Sequence, residues 1–212
     1  MYLPTQFEET RLDVIYQLIH ARPLGMLVTL GSDGLNANHI PFEIDPAPSP
    51  FGTLRGHVAR ANPVWRDFSK DVQALIVFQG AQTYITPNWY PSKQETGKVV
   101  PTFNYIVVHA YGSLQPIDDR DWLRDFVSKL TDRHESAQPQ PWKMRDAPDS
   151  FIETQLGAIV GIEVPIAKLV GKWKVSQNRT ALDQTGVVRG LRVAGDANAV
   201  EMAQAIEQRK KI

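Results

Sequence analysis

Between residues 24 and 114 the chain is a succession of short β-type segments separated by turn residues, with helices inserted rather than alternating with strands. LGMLVTL at 24–30, the turn GSDG at 31–34 and LNANHIPFEI at 35–44 read as the two arms of a hairpin. TLRGHVA at 53–59 alternates, so that Leu54, Gly56 and Val58 face one way while Arg55 and His57 face the other. VQALIVFQ at 72–79 and the following AQTYI read as two further strands, and VVPTFNYIVVHAYGSL at 99–114 as a long one. Between them NWYPSKQETGK reads as a mobile loop. IVGIEVPIAKLVGKWKV, from 159, is a last β-rich run with Pro165 at an edge or bulge. A doubly wound parallel sheet needs strand and helix in regular alternation. This rhythm instead selects an α+β protein built on a closed or partly closed barrel.

The helices fall around those strands. Leu12, Ile15, Leu18 and Ile19 recur at helical spacing until Arg22-Pro23 ends the pattern. Asn62-Pro63 has the chemistry of a helix start, so PVWRDF is expected to open a short helix directly after a strand. Asp118 and Asp119 are expected to cap a helix carrying one stripe of Trp122, Leu123, Phe126, Val127 and Leu130. HESAQPQPWKMRDAP reads as a connector and FIETQLGA as a short helix. Residues 180–212 return to helical patterning and finish in the basic RKK.

Composition excludes several chemistries. With no cysteine there is no disulfide, thiolate metal site, iron–sulfur cluster or cysteine nucleophile. Lys+Arg and Asp+Glu both count 23, so no global charge draws the chain to nucleic acid or an anionic membrane. Neither an export signal nor a stretch of roughly 20 apolar residues is found, which is compatible with a cytoplasmic protein and no membrane partner. There is no G-x-G-x-x-G after a strand, no P-loop and no G-x-S-x-G elbow. The five histidines include no H-E-x-x-H pair, so no metal site is expected. The helical segments at 180–192 and 197–209 make only a weak helix-turn-helix match.

Three clusters carry chemistry. In LRGHVARANPVW, Arg55 and His57 leave one strand face, Arg60 follows, and a helix start at Asn62 would add unpaired N–H groups: parts that converge on an anion. The plain alternative makes Arg55 and Arg60 surface charges, His57 a core histidine and Asn62 a cap. In KWKVSQNR, alternation sets Lys172 and Lys174 on one face and Trp173 on the other, with Gln177 and Asn178 as further donors for a planar, acceptor-rich ligand. Its alternative is a solvated edge strand. Residues 171–212 hold eight Lys/Arg against four Asp/Glu, an excess that suits a phosphate and, more weakly, DNA. The third cluster joins NWYPSK to PTFNY, aromatics beside amides and a lysine, which suits either a flat heterocycle or a loop folded over the core.

At these clusters the sequence resembles the PaiB-type family of FMN-binding negative transcriptional regulators. The matching stretches are MYLPTQFEE, PLGMLVT, GLNANHIPF, LRGHVARANPVW, NWYPSK, VVPTFNYIVVHAYG, PWKMRDAP and GKWKVSQNR, in that order from residue 1 to about 190. The resemblance implies a split β-barrel of the pyridoxine phosphate oxidase-like kind with peripheral helices, spanning 1–178, and a helical extension at 179–212. It also implies a homodimer with FMN at or near the subunit interface. On that template the Arg60-Ala61-Asn62 junction holds the phosphate, with Arg55 and His57 on the same side. Lys93, Asn104, Trp173, Lys174, Gln177 and Asn178 become flavin or interface contacts. Phe103 stands where the family often has tryptophan, which keeps stacking and removes the indole N–H. DNA binding is implied by the resemblance alone. The competing class on the same barrel is a flavin-dependent oxidoreductase, with His57 as the best proton donor, and a haem-handling relative using His39, His57 or His109 ranks last.

Overall fold

The computed structural model describes residues 1–209; of the basic end at 209–211, Lys210 and Lys211 lie outside the described residues. It is a mixed α+β structure with a nine-stranded sheet in the order β3-β2-β6-β7-β9-β5-β4, β1 and β8 pairing with β9 off that path. The strands are β1 (Glu8–Glu9), β2 (Leu24–Gly31), β3 (Gly34–Pro41), β4 (Glu43–Asp45) and β5 (Thr53–Ala59), then β6 (Ala74–Ile85), β7 (Thr102–Gly112), β8 (Gln115–Ile117) and β9 (Ile159–Lys174). The helices are α1 (Leu12–Ala21), α2 (Ser92–Thr96), α3 (Arg120–Glu135), α4 (Asp149–Gly157), α5 (Ala181–Ala194) and α6 (Ala197–Arg209). The residues gather into two compact units: Ile19–Phe78 with His109–Leu169, and Met1–Leu18 with Gln79–Val108 and the chain from Val170 onward.

In the unit built on Ile19–Phe78, β2 and β3 form the expected hairpin, paired from Leu24↔Pro41 to Gly31↔Gly34. Gly34 takes φ 105°, the left-handed conformation that the turn requires and a side chain resists. β5 lies between β4 and β9, with Arg55 opposite Glu43 on one neighbour and Glu163 on the other. Leu54 and Val58 point into a core with Leu27, Phe42, Ile76, Phe78 and Ile162. Gly56 lets the Phe42 ring lie against the strand: a Cβ there would stand 3.2 Å from that ring. α3 buries Leu123, Phe126 and Leu130 of its expected stripe, and Leu123 packs with Ile152 and Leu156 of α4. Its N-cap is Asp119, whose carboxylate accepts from the Trp122 amide at 2.8 Å. Asp118, expected to share that role, is turned to Arg60 instead. The start at Asn62 is also shorter than expected: only a 3-10 turn, Pro63–Trp65, follows it.

Two further expectations are corrected. β6 is one continuous strand through Gly80 rather than two. NWYPSKQETGK, read as mobile, forms a 3-10 turn at Pro87–Trp89 and then α2, and α5 clamps it. Asp183, 3% exposed, accepts from the Ser92 amide at 3.1 Å and its hydroxyl at 2.8 Å. A Cβ at Gly186 would fall 2.1 Å from the Trp89 carbonyl, and at Gly190 2.4 Å from its indole, so the helix approaches that closely because both positions are glycine. Loop composition could not show this, because the pinning groups lie far along the chain. Gly195, at φ 71°, ends α5 and turns the chain into α6.

Candidate functional site

β5 presents Arg55 and His57 on the face that its alternation predicts, and each is covered. The Arg55 guanidinium bonds Asp45 at 2.8 Å and Glu163 at 2.6 Å, side chains from the two flanking strands. His57 meets the Phe126 ring edge-on at 6.0 Å, and its buried Nδ1 has no hydrogen-bond partner. Burial holds the imidazole below its ordinary pKa, which favours its neutral form.

Arg60 is occupied on every nitrogen. Nε donates to the Gly157 carbonyl at 2.8 Å, Nη1 to Asp118 Oδ2 at 2.9 Å, and Nη2 to Asp118 Oδ1 at 2.5 Å and the Ile159 carbonyl at 3.0 Å. Its own amide donates to Ala158 at 2.8 Å, and the Asn62 amide to Ala59 at 2.9 Å. Asn62 caps Val64 at 3.0 Å and donates to Asn38 at 2.7 Å, while Ala61 is exposed. The junction chosen from sequence as an anion site is therefore closed on its own carboxylate, and the single 3-10 turn beyond it has no helix dipole to add.

β9 carries a different arrangement in the other unit. Lys172 and Lys174 share one face, and Lys172 is only 6% exposed. Its ammonium donates to the Tyr2 carbonyl at 3.0 Å and lies 5.1 Å from the centre of the Tyr105 ring. The Lys174 ammonium donates to Thr102 Oγ1 at 2.6 Å and lies 5.9 Å from the same ring. Burial holds Lys174 below the ordinary lysine pKa; Tyr105 pulls the other way, and the charges of Lys172 and Arg179 add smaller contributions to the lowering. Arg179 lies over the Tyr90 ring at 4.6 Å. Among the described residues, no carboxylate stands within ion-pair distance of these three cations.

The remaining expected residues divide. Gln177 folds back, donating to the Trp173 carbonyl at 2.5 Å and accepting from the Val175 amide at 2.7 Å, which leaves Asn178 exposed beyond it. Buried Asn104 donates to Ser176 Oγ at 2.8 Å and so supports a residue held at φ 64°. Trp173 is buried on the opposite face from the lysines, lining a cavity with Val14 and Ala205. Exposed Lys93 bonds Asn88. Sequence reasoning named Lys172 without assigning it to the site, and passed over Tyr105, Thr102 and Arg179. Tyr105 sits inside PTFNY and nothing local marks it; only strand pairing brings its ring beneath two lysines.

Residues 1–168 match the protein family described as "Putative FMN-binding domain". An uncharacterised protein of Aspergillus fumigatus is 32% identical across 99% of this chain and 97% of its own. "Protease synthase and sporulation protein PAI 2" of Bacillus subtilis is 28% identical across 100% of this chain and 99% of its own. Among solved structures, the flavocytochrome Anf3 of Azotobacter vinelandii is similar in fold, with a TM-score of 0.57 at 10% identity, covering 79% of this chain and 69% of that one. The barrel expected from the sequence is thus the fold of known flavoproteins.

FMN pairs a flat heterocycle with a phosphate, and the donor set at β9 fits both: two ammonium groups and a guanidinium without carboxylate partners among the described residues, beside a tyrosine ring. The three cations lie beyond the matched 1–168, but the likeness to PAI 2 runs through them. The chain belongs to the FMN-binding domain family and is of the PaiB type, with FMN as its cofactor.

Proposed function

We propose that the protein binds FMN with its phosphate on the face formed by Lys172 and Lys174, Arg179 adding charge and Tyr105 an aromatic surface. The observation that carries this reading is that these cations have no carboxylate partner among the described residues, whereas Arg55 and Arg60 are already paired. A half-buried ammonium without a counter-charge is poorly solvated, and an anion relieves that cost. Bound FMN supplies one- and two-electron redox chemistry. Titrating the apo-protein with FMN and with riboflavin, followed by flavin fluorescence, tests the proposal: phosphate-dependent affinity supports it, and equal affinities contradict it.

A homodimer fits the exposed apolar side chains on the β2–β3 hairpin, where Leu24 is 60% and Leu35 80% exposed. Sedimentation equilibrium reads that state. An oxidoreductase is the second reading, favoured by one arrangement: the Tyr111 hydroxyl lies 3.3 Å from His109 Nδ1, with the Lys168 ammonium over its ring at 5.3 Å. The His109–Tyr111 pair can pass a proton, with the Lys168 charge beside it, and NAD(P)H oxidation above the rate of free flavin is its test. DNA binding rests on family likeness, and on α5–α6 Arg192 is paired with Glu207 at 2.8 Å. A gel shift across a salt series decides it.

A further inference from the structure

A cavity of about 300 Å³ lies between β1, α1, α6 and the end of β9, on the face of β9 away from Lys174. Its floor is apolar, made by Val14, Trp173 and Ala205, and three charged side chains stand over it: Glu9, Arg11 and Arg209. Among the described residues the rest of the wall is two glutamines. The volume is at the low end of the roughly 300–1,000 Å³ of ligand clefts, so it suits a molecule of one or two rings.

The charges in that wall do not balance. Glu9 is 3% exposed and both its oxygens are occupied: Oε1 accepts from Arg11 Nε at 2.9 Å and the Arg11 amide at 3.0 Å, and Oε2 from Arg11 Nη2 and Arg209 Nη1, each at 2.6 Å. Burial pushes the Glu9 carboxyl up, but its bonds to Arg11 and the charges of Arg11 and Arg209 outweigh that and hold it below its ordinary pKa. Two guanidiniums therefore share one carboxylate. Arg11 Nη1 takes no part in the pairing, and the Arg11 and Arg209 side chains stay 42% and 23% exposed, within reach of a second anion. Asp13 acts on Arg11 through its charge but is not in the wall. We infer that this cavity binds a small aromatic monocarboxylate, with the carboxylate on Arg11 and Arg209 and the ring on the floor of Val14, Trp173 and Ala205. One surplus positive charge matches one carboxylate, whereas a phosphate dianion would leave a surplus negative charge beside buried Glu9.

The test uses benzoate and its neutral isostere benzamide, added to the FMN-loaded full chain labelled with fluorotryptophan and read by fluorine NMR. Trp173 lines the cavity; Trp65, Trp89, Trp122 and Trp142 do not, and serve as internal references. Saturable movement of the Trp173 signal is expected with both probes while the references stay still, with benzoate about tenfold tighter, the lower end for a charge-assisted hydrogen bond. Arg11→Gln leaves Glu9 paired with Arg209 and removes the surplus charge, so the preference for benzoate should vanish while benzamide still binds. Ala205→Phe, which fills the space, should weaken both probes, and inorganic phosphate should not displace benzoate. A Trp173 signal that benzoate leaves unmoved, equal affinity for the two probes, a preference that survives Arg11→Gln, or displacement by phosphate would overturn the inference.

Discussion

The cations of β5 and those of β9 look alike on paper, yet the fold treats them in opposite ways. Arg55 and Arg60 meet three carboxylates, Asp45, Glu163 and Asp118, and Arg60 adds two backbone carbonyls. Lys172 and Lys174 meet a carbonyl, a hydroxyl and a shared ring. What remains unpaired after the chain has satisfied itself, rather than the number of basic residues, marks an anion site. Arginine's planar fork suits the first duty, since it ties Asp118 to the α4–β9 junction; lysine's compact charge suits the second.

Lys174→Ala sharpens this contrast most. It should weaken FMN binding by about 10- to 100-fold, the range for a charge-assisted hydrogen bond, and leave riboflavin nearly unchanged. Next in size is the effect of pH. Lys174 titrates below the ordinary lysine value, and bound phosphate favours its charged form. FMN affinity should therefore fall as pH rises through that depressed pKa, by at most about tenfold per pH unit, with riboflavin flat. In the free protein the sign is reversed. The depressed pKa makes the charged lysine a cost to folding at neutral pH, and this cost fades as pH climbs from the folded value towards 10.5.

On the arginine side the readout is stability. Arg60→Ala should lower Tm by a few degrees through loss of its contacts to Asp118, Gly157 and Ile159, with FMN affinity unchanged. Smallest is Asp118→Asn, which frees the Arg60 fork: weak stabilisation by inorganic phosphate should appear in the variant and not in the wild type. If it appears equally in both, pairing with Asp118 does not decide where an anion binds.

Much of the fold was legible because its signals are local. The alternation of TLRGHVA gave β5 with Leu54 and Val58 inward, and the GSDG turn gave the β2–β3 hairpin. The errors fall where distant residues decide. NWYPSK has loop composition, but Asp183 bonds Ser92 and the two α5 glycines let that helix pack against it. Asp118 and Asp119 are equivalent as caps in sequence, and only Arg60, far back in the chain, separates them. In the candidate site Lys174 was readable from strand alternation, whereas the Tyr105 ring and the lack of carboxylates are properties of pairing in three dimensions.

The most direct measurement is the ratio of FMN to riboflavin affinity in Lys174→Ala and Arg60→Ala, both checked for folding and titrated side by side with the wild type. Phosphate binding on the β9 face predicts that the ratio collapses towards one in Lys174→Ala and keeps its wild-type value in Arg60→Ala. The opposite pattern, with the ratio lost in Arg60→Ala and intact in Lys174→Ala, would return the phosphate to the junction after β5 and contradict the lysine site.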